Sequence, residues 1–203
     1  MRIDRLEPVP GPTGRIRVVF DGAAPMKVYP EVVADCGLYA GKDLTEEELE
    51  QLRKVAARAS ARQRAVRIVS ASTVSEKELK RRLQQKGEDP DQAQQAVDWL
   101  KDLNVIDDAE AARQIVRRAA GKGYGAARAK QELYAKGVAR EYWDAALVDY
   151  PDMSEAIDRF IAQRLRGEKP DQKQLKQLTD ALYRRGHSWE DIRAGLRRAD
   201  AEE

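Results

Sequence analysis

Apolar residues recur along this chain with two different periods. In RIRVVF (residues 15–20), Ile16, Val18 and Phe20 alternate with Arg15, Arg17 and Val19, the two-residue period of a half-buried strand. PVPGPTG ahead of it, and Asp21, Gly22 and Pro25 behind it, supply turn chemistry, and MKVY (residues 26–29) reads as a further strand. A small antiparallel sheet of about three strands is expected, too small to be stable without a neighbour to pack on. Pro30 opens a short helix that Gly37 closes.

From Thr45 onward the period lengthens to that of a helix. Thr45 and Glu48 form a capping box, and Leu49, Leu52, Ala56, Ala59, Gln63 and Val66 follow at steps of three and four, predicting one long helix with a modest apolar stripe. Ser75 and Glu78 repeat the box. Asp89 with Pro90 starts another helix, bearing Ala93, Ala96, Val97 and Leu100 on one face, and Asp107 with Asp108 starts a third, bearing Ala112, Ile115, Val116 and Ala119.

Three of the predicted helices end in the same words: LQQKG, LYAKG and LYRRG, with glycines at 87, 137 and 186 and therefore spacings of 50 and 49 residues. Chance supplies only about 0.2 matches to Leu-x-x-[Lys/Arg]-Gly in a chain of this composition, so the recurrence has a structural cause. The leucine is the last core side chain of a helix, the cation sits where the macrodipole favours positive charge, and the glycine takes the left-handed conformation that ends the helix. Trp143 and Ile192 stand six residues after the second and third glycines, and Val97, Leu147 and Leu196 ten after all three, so the apolar positions recur with them.

These signals divide the chain into a β-rich element (residues 1–43), a long basic linking helix (44–72), a three-helix repeat (73–122), a second (123–168) and a partial third (169–203) that runs out at Glu203. The fold class expected is mainly α, tandem three-helix repeats stacked into an elongated curved rod, with the small sheet at its start. GKGYG (residues 121–125) follows a helix and lacks the order of a phosphate-binding loop, and reads as a hinge between repeats.

Composition bears this out and restricts the chemistry. Aromatic residues make up 6% of the chain and charged residues 35%, a balance suited to slender solvated helices. One cysteine, Cys36, excludes an internal disulfide, and the lack of any long apolar run points to a cytoplasmic protein without a membrane span. With one histidine, His187, no zinc set or histidine triad is available. His187 reads as a helix-joint residue, and Asp107 and Asp108 as helix N-caps rather than acid–base or metal groups. No enzyme activity, metal or cofactor is expected.

The net charge of +2 conceals segregation: residues 53–67 hold six cations and no acid, and residues 111–140 hold eight against Glu132 alone. Arg113 and Arg117, and Arg118 and Lys122, are spaced four apart, so two cationic ridges flank a buried stripe. Arg128 and Lys130, just beyond the glycines, extend a strip suited to phosphates or an acidic protein surface. Tyr124 is the one aromatic there that can stack on a base, which disfavours base-specific readout.

SEKELKRRLQQKG, VIDDAEAARQIVRR, GYGAARAKQELYAKGV and LYRRGHSWEDIRAGL, in that order, resemble the RecX family of bacterial regulatory proteins over roughly residues 65–199. The β-rich start and linking helix resemble the N-terminal extension of longer members. The resemblance implies a non-catalytic monomer that binds the RecA recombinase and its filament on single-stranded DNA and inhibits strand exchange, ATP hydrolysis and co-protease activity. It places the family's Ser-x-x-Glu-Leu on Ser75, Glu78 and Leu79, its Asp-Asp and basic helix on Asp107, Asp108, Arg113 and Arg117, and its middle-unit residues on Gly125, Glu132, Leu133, Lys136 and Gly137. Arginines usual before the serine are here Ser72 and Val74, and an aromatic usual after the Asp pair is Ala111, which implies a thinner core there. Arg81, Arg82, Arg113, Arg117, Arg118, Lys122, Arg128 and Lys130 are the candidate partner-binding residues. The alternative is a helical module that binds single- or double-stranded DNA directly, without regard to sequence.

Overall fold

The computed structural model describes residues 1–165 and 170–201, so the expected boundary at 168–169 and the chain's end at Glu203 lie outside the described residues. Two compact units are formed, one of residues 1–72 with 79–105, the other of residues 73–78 with 106 onward.

The first unit opens with strands β1 (Ile3–Pro8), β2 (Ile16–Phe20) and β3 (Ala23–Val28) in an antiparallel sheet of order β1-β2-β3. Val18 and Phe20 point inward as their alternation requires, joining Ile3, Val28 and Val32 of the short helix α1 (Pro30–Asp35) in one core. Helix α2 (Glu46–Ala71) closes that core with Leu49 and Leu52, and its start carries the expected capping box: Glu48 N donates to Thr45 Oγ1 at 3.1 Å and Thr45 N to Glu48 Oε2 at 2.8 Å. The stripe predicted along α2 holds only for its first half. Beyond Ala59 the buried positions become Ala61 and Ala65, while Val66 is exposed, because the second half packs on another partner, α4 (Pro90–Asp102). Helix α3 (Glu76–Gln85) is held to α4 by Lys80 Nζ donating to Gln94 Oε1 at 2.7 Å, and to the end of α2 by Arg82 Nη1 donating to Ser72 Oγ at 3.1 Å.

The second unit contains α5 (Asp108–Gly121), α6 (Ala126–Ala135), a 3₁₀ turn (Arg140–Tyr142) running into α7 (Trp143–Leu147), then α8 (Ser154–Leu165), α9 (Gln172–Arg184) and α10 (Trp189–Ala201). Ala112, Val116, Leu133 and Val138 make one core with Trp143 and Leu147, so α5, α6 and α7 form a three-helix group. Ile157, Ile161, Leu178, Leu182 and Ile192 make another from α8, α9 and α10. This grouping is one helix out of phase with the 73–122, 123–168 and 169–203 division: α5 belongs with the helices after it, and α9 and α10 complete a group that α8 begins. The glycines mark the middle helix of each group, not its first, because a helix end is fixed by local chemistry and gives no information about which neighbours the helix packs on.

The motif itself forms as expected. Gly87, Gly137 and Gly186 have φ of 86°, 70° and 87°. In each case the following N–H donates back to the motif leucine: Glu88 to Leu83 at 3.1 Å, Val138 to Leu133 at 3.1 Å and His187 to Leu182 at 3.3 Å. Helix α4 ends the same way without a glycine, with Asn104 at φ 53° and Val105 N donating to Leu100 O at 2.9 Å.

Candidate partner-binding surface

The carbonyl of the motif cation is a docking point in all three copies. Lys86 O accepts from the Arg64 guanidinium, Lys136 O accepts from Ser75 Oγ at 2.5 Å, and Arg185 O accepts from Gly125 N at 2.9 Å. In the second unit this seats the head of one motif helix on the tail of the next. At the tail of α6, Ser75 also accepts from Glu78 N at 3.2 Å, and Asp108, read as a cap of its own helix, instead takes Glu76 N at 2.8 Å. Asp107 does cap α5, through Ala109 N and Glu110 N. At the tail of α9, Gly125 provides no side-chain cap for α6, and the Gly186 carbonyl accepts from Ala127 N at 3.3 Å in its place. A Cβ on Gly125 would lie 2.0 Å from Gly186 O, so GKGYG is a close-packed joint rather than the hinge its composition predicts.

Arg185 locks that joint. Its guanidinium lies 4.8 Å from the Tyr124 ring centre and 5.1 Å from that of Phe160, and Nη2 donates to Lys122 O at 2.7 Å. Tyr124 is thus occupied and not open to a base. Tyr150 Oη donates to Tyr124 O at 2.7 Å, and burial pushes the Tyr150 hydroxyl above its usual value. His187 is buried behind the joint. Burial pushes its imidazole below the usual value, the Gly123 backbone opposing, and its place one residue past the left-handed glycine makes it the joint residue expected.

Of the candidate cations, Lys122 and Arg128 come together: both are exposed and each lies 5.8 Å from the Tyr124 ring, over which Arg185 also sits. Arg128 also donates to Gln131 Oε1 at 3.1 Å, a neutral partner. Arg113 and Arg117 are not bare ridges, because both bind Glu110 of their own helix, at 2.8 and 2.7 Å. Those guanidinium bonds, Arg113 first, hold the Glu110 carboxyl at about 2. A depressed carboxylate contributes its pairing above the usual carboxylate range and loses it as pH falls toward 2. A carboxyl titration followed by NMR should therefore place Glu110 near 2, and Arg113→Gln should move it upward; an ordinary value in the unaltered chain would show the cluster is not formed in solution.

Arg118 and Lys130 are exposed on α5 and α6, and Arg81 is exposed on α3 in the first unit. Arg82 instead lines a cavity in the first unit with Arg15, Arg64, Arg67 and Lys86. Sequence reasoning missed Arg185, although it is the cation of the third motif, and it missed an exposed aromatic pair, Tyr183 and Trp189, with ring centres 5.5 Å apart.

A sheet-headed chain whose helices pack in consecutive groups of three, each with a glycine-ended middle helix, is a tandem helical-repeat protein. The RecX second three-helix domain matches residues 107–147, the α5–α7 group, and the RecX first three-helix domain matches residues 61–100, the second half of α2 with α3 and α4. The Regulatory protein RecX of Xanthomonas axonopodis pv. citri (strain 306) is 38% identical over 137 residues, 66% of this chain and 85% of that protein. That of Clostridioides difficile (strain 630) is 27% identical over 187 residues, 90% and 88% of the two chains. The chain belongs to the RecX family. A crystal structure of regulatory protein RecX superposes with a TM-score of 0.64 at 21% identity, covering 95% of this chain and 97% of that one, and RecX from Lactobacillus salivarius with 0.61 at 19%, covering 71% and 97%. These two likenesses are likenesses of fold. No described helix is long and apolar enough to cross a membrane.

Proposed function

We propose that the chain acts as a cytoplasmic monomer that binds the RecA filament on single-stranded DNA and restrains its recombinase, ATPase and co-protease activities, with no catalytic step of its own. Membership of the RecX family supports this reading. The observation that carries it to particular residues is the cluster of Lys122, Arg128 and Arg185 over Tyr124, which puts exposed cations on a rigid joint. Cations held at a fixed spacing can meet a polymeric anionic or acidic surface without ordering a flexible loop first. Arg113 and Arg117 share one carboxylate and present less net charge, so they rank below this cluster.

Titrating the chain into RecA assembled on single-stranded DNA tests the reading: ATP hydrolysis should fall as the chain is added, and unchanged hydrolysis at several-fold excess over filament subunits would refute it. The second reading, direct DNA binding, draws on the exposed Tyr183–Trp189 pair, which offers the stacking surface that Tyr124 does not. Its signature is binding to naked single strands, without RecA, that weakens steeply as salt rises.

A further inference from the structure

The first unit holds a cavity of about 400 Å³ that the preceding reading does not use. It is lined by Arg15 and Tyr29 from the β-rich element, by Arg64, Arg67, Ile68 and Ala71 from the end of α2, and by Arg82 and Lys86 from α3 and its terminal turn. Five cations face one concavity, and its lining includes no carboxylate. Glu88 behind it takes Arg64 Nε at 2.8 Å, and Arg82 donates to Ser72, so the surplus positive charge falls chiefly on Arg15, Arg67 and Lys86.

The walls are partly built. Arg15 is fixed against Tyr29, with its guanidinium 4.8 Å from the ring centre and Nη2 donating to Tyr29 Oη at 3.2 Å, while its Nε is buried and finds no hydrogen-bond partner among the described residues. Arg64 is held at the opposite side by Lys86 O and Glu88. Like charges around one concavity repel one another, and the arrangement is relieved by a ligand that brings several negative oxygens at once. A carboxylate carries one charge on two oxygens and is satisfied by a single guanidinium. A phosphate group carries more charge on more oxygens and matches guanidinium forks from two or three sides.

We infer that this cavity is a phosphate-binding site, with Arg15, Arg67 and Lys86 as its principal ligands, Arg64 and Arg82 as its braced walls, and Ile68 and Ala71 as an apolar floor. The phosphate is borne either by a nucleic-acid strand or by a small phosphorylated molecule. The site requires nothing of RecA, so its failure and that of the filament reading are separate results.

The test uses the full chain and two probes: inorganic pyrophosphate followed by calorimetry, and a fluorescent five-nucleotide single strand followed by anisotropy. Pyrophosphate should bind, more weakly as salt rises, and Arg67→Gln with Lys86→Gln should weaken it at least tenfold. Both side chains are exposed, and an unchanged thermal melt verifies that the variant folds. Lys122→Gln with Arg128→Gln, in the other unit, should leave pyrophosphate binding as it was. A parallel loss of strand binding in the first variant identifies the phosphate as that of a nucleic acid, whereas retention of strand binding identifies a small phosphorylated ligand. No pyrophosphate binding by the unaltered chain, equal binding by Arg67→Gln/Lys86→Gln, or displacement by an oligoglutamate peptide as effective as by pyrophosphate would overturn the proposal.

Discussion

Gly186→Ala is expected to destabilise the second unit by about 3–4 kcal/mol, while the same change at Gly87 costs only about 1 kcal/mol. The two glycines have nearly the same backbone, φ 87° and 86°, so the left-handed penalty is common to both. They differ in surroundings. A Cβ at Gly87 meets nothing within 4 Å, whereas at Gly186 it lies 2.3 Å from Arg128 N and 2.6 Å from Arg128 Cβ. The joint must part to admit it, which breaks the bonds from Gly125 N to Arg185 O and from Ala127 N to Gly186 O. Gly125→Ala separates the two causes: Gly125 has an ordinary φ of −78°, yet its Cβ would fall 2.0 Å from Gly186 O, so the clash acts alone. Hydrogen exchange resolved by segment should show protection lost around α6 and α9 in both joint variants and kept in Gly87→Ala. Wild-type exchange in Gly125→Ala would mean that the joint is not closed in solution.

Charge reversal at Lys122 and Arg128 together is expected to raise the amount of chain needed for half-inhibition of RecA-filament ATP hydrolysis about tenfold or more, each tenfold being about 1.4 kcal/mol of binding. Reversal at Arg113 and Arg117 should do less, because the two share the Glu110 carboxylate and present less net charge. Both pairs are exposed, so neither variant should unfold the unit. Equal potency of the Lys122/Arg128 variant and the unaltered chain would move the contact away from the joint.

How far such features can be read from residues alone depends on how local their causes are. The capping box at Thr45, the Asp89 and Asp107 caps and the three left-handed glycines were legible because each depends on neighbours within a few positions. The strand at 16–20 was legible because its alternation has only one buried face. The grouping of helices was not, since α5 has an apolar stripe that would serve a neighbour on either side. Asp108 was misassigned for a related reason: a cap acid is recognised by position, but which helix it caps is decided in space. The same limit applies to the charged side chains. Arg113 and Arg117 read as a ridge because Glu110, three and seven residues away, falls just outside the basic block at 111–140, and Arg185 reads as a terminal cation because nothing in the sequence brings Tyr124 and Phe160 to it.

The heads of the three motif helices are finished differently. Those of α3 and α6 draw hydrogen bonds from a neighbouring group, through Asp108 and through the Gly186 carbonyl, whereas α9 begins with a self-contained pair in which Gln174 N donates to Asp171 Oδ1 and Asp171 N to Gln174 Oε1. That pair satisfies two of the backbone donors at the head of α9 from within the helix itself. A module added by duplication would therefore meet two of the donors of α9 already engaged, and would have to seat on the remaining ones.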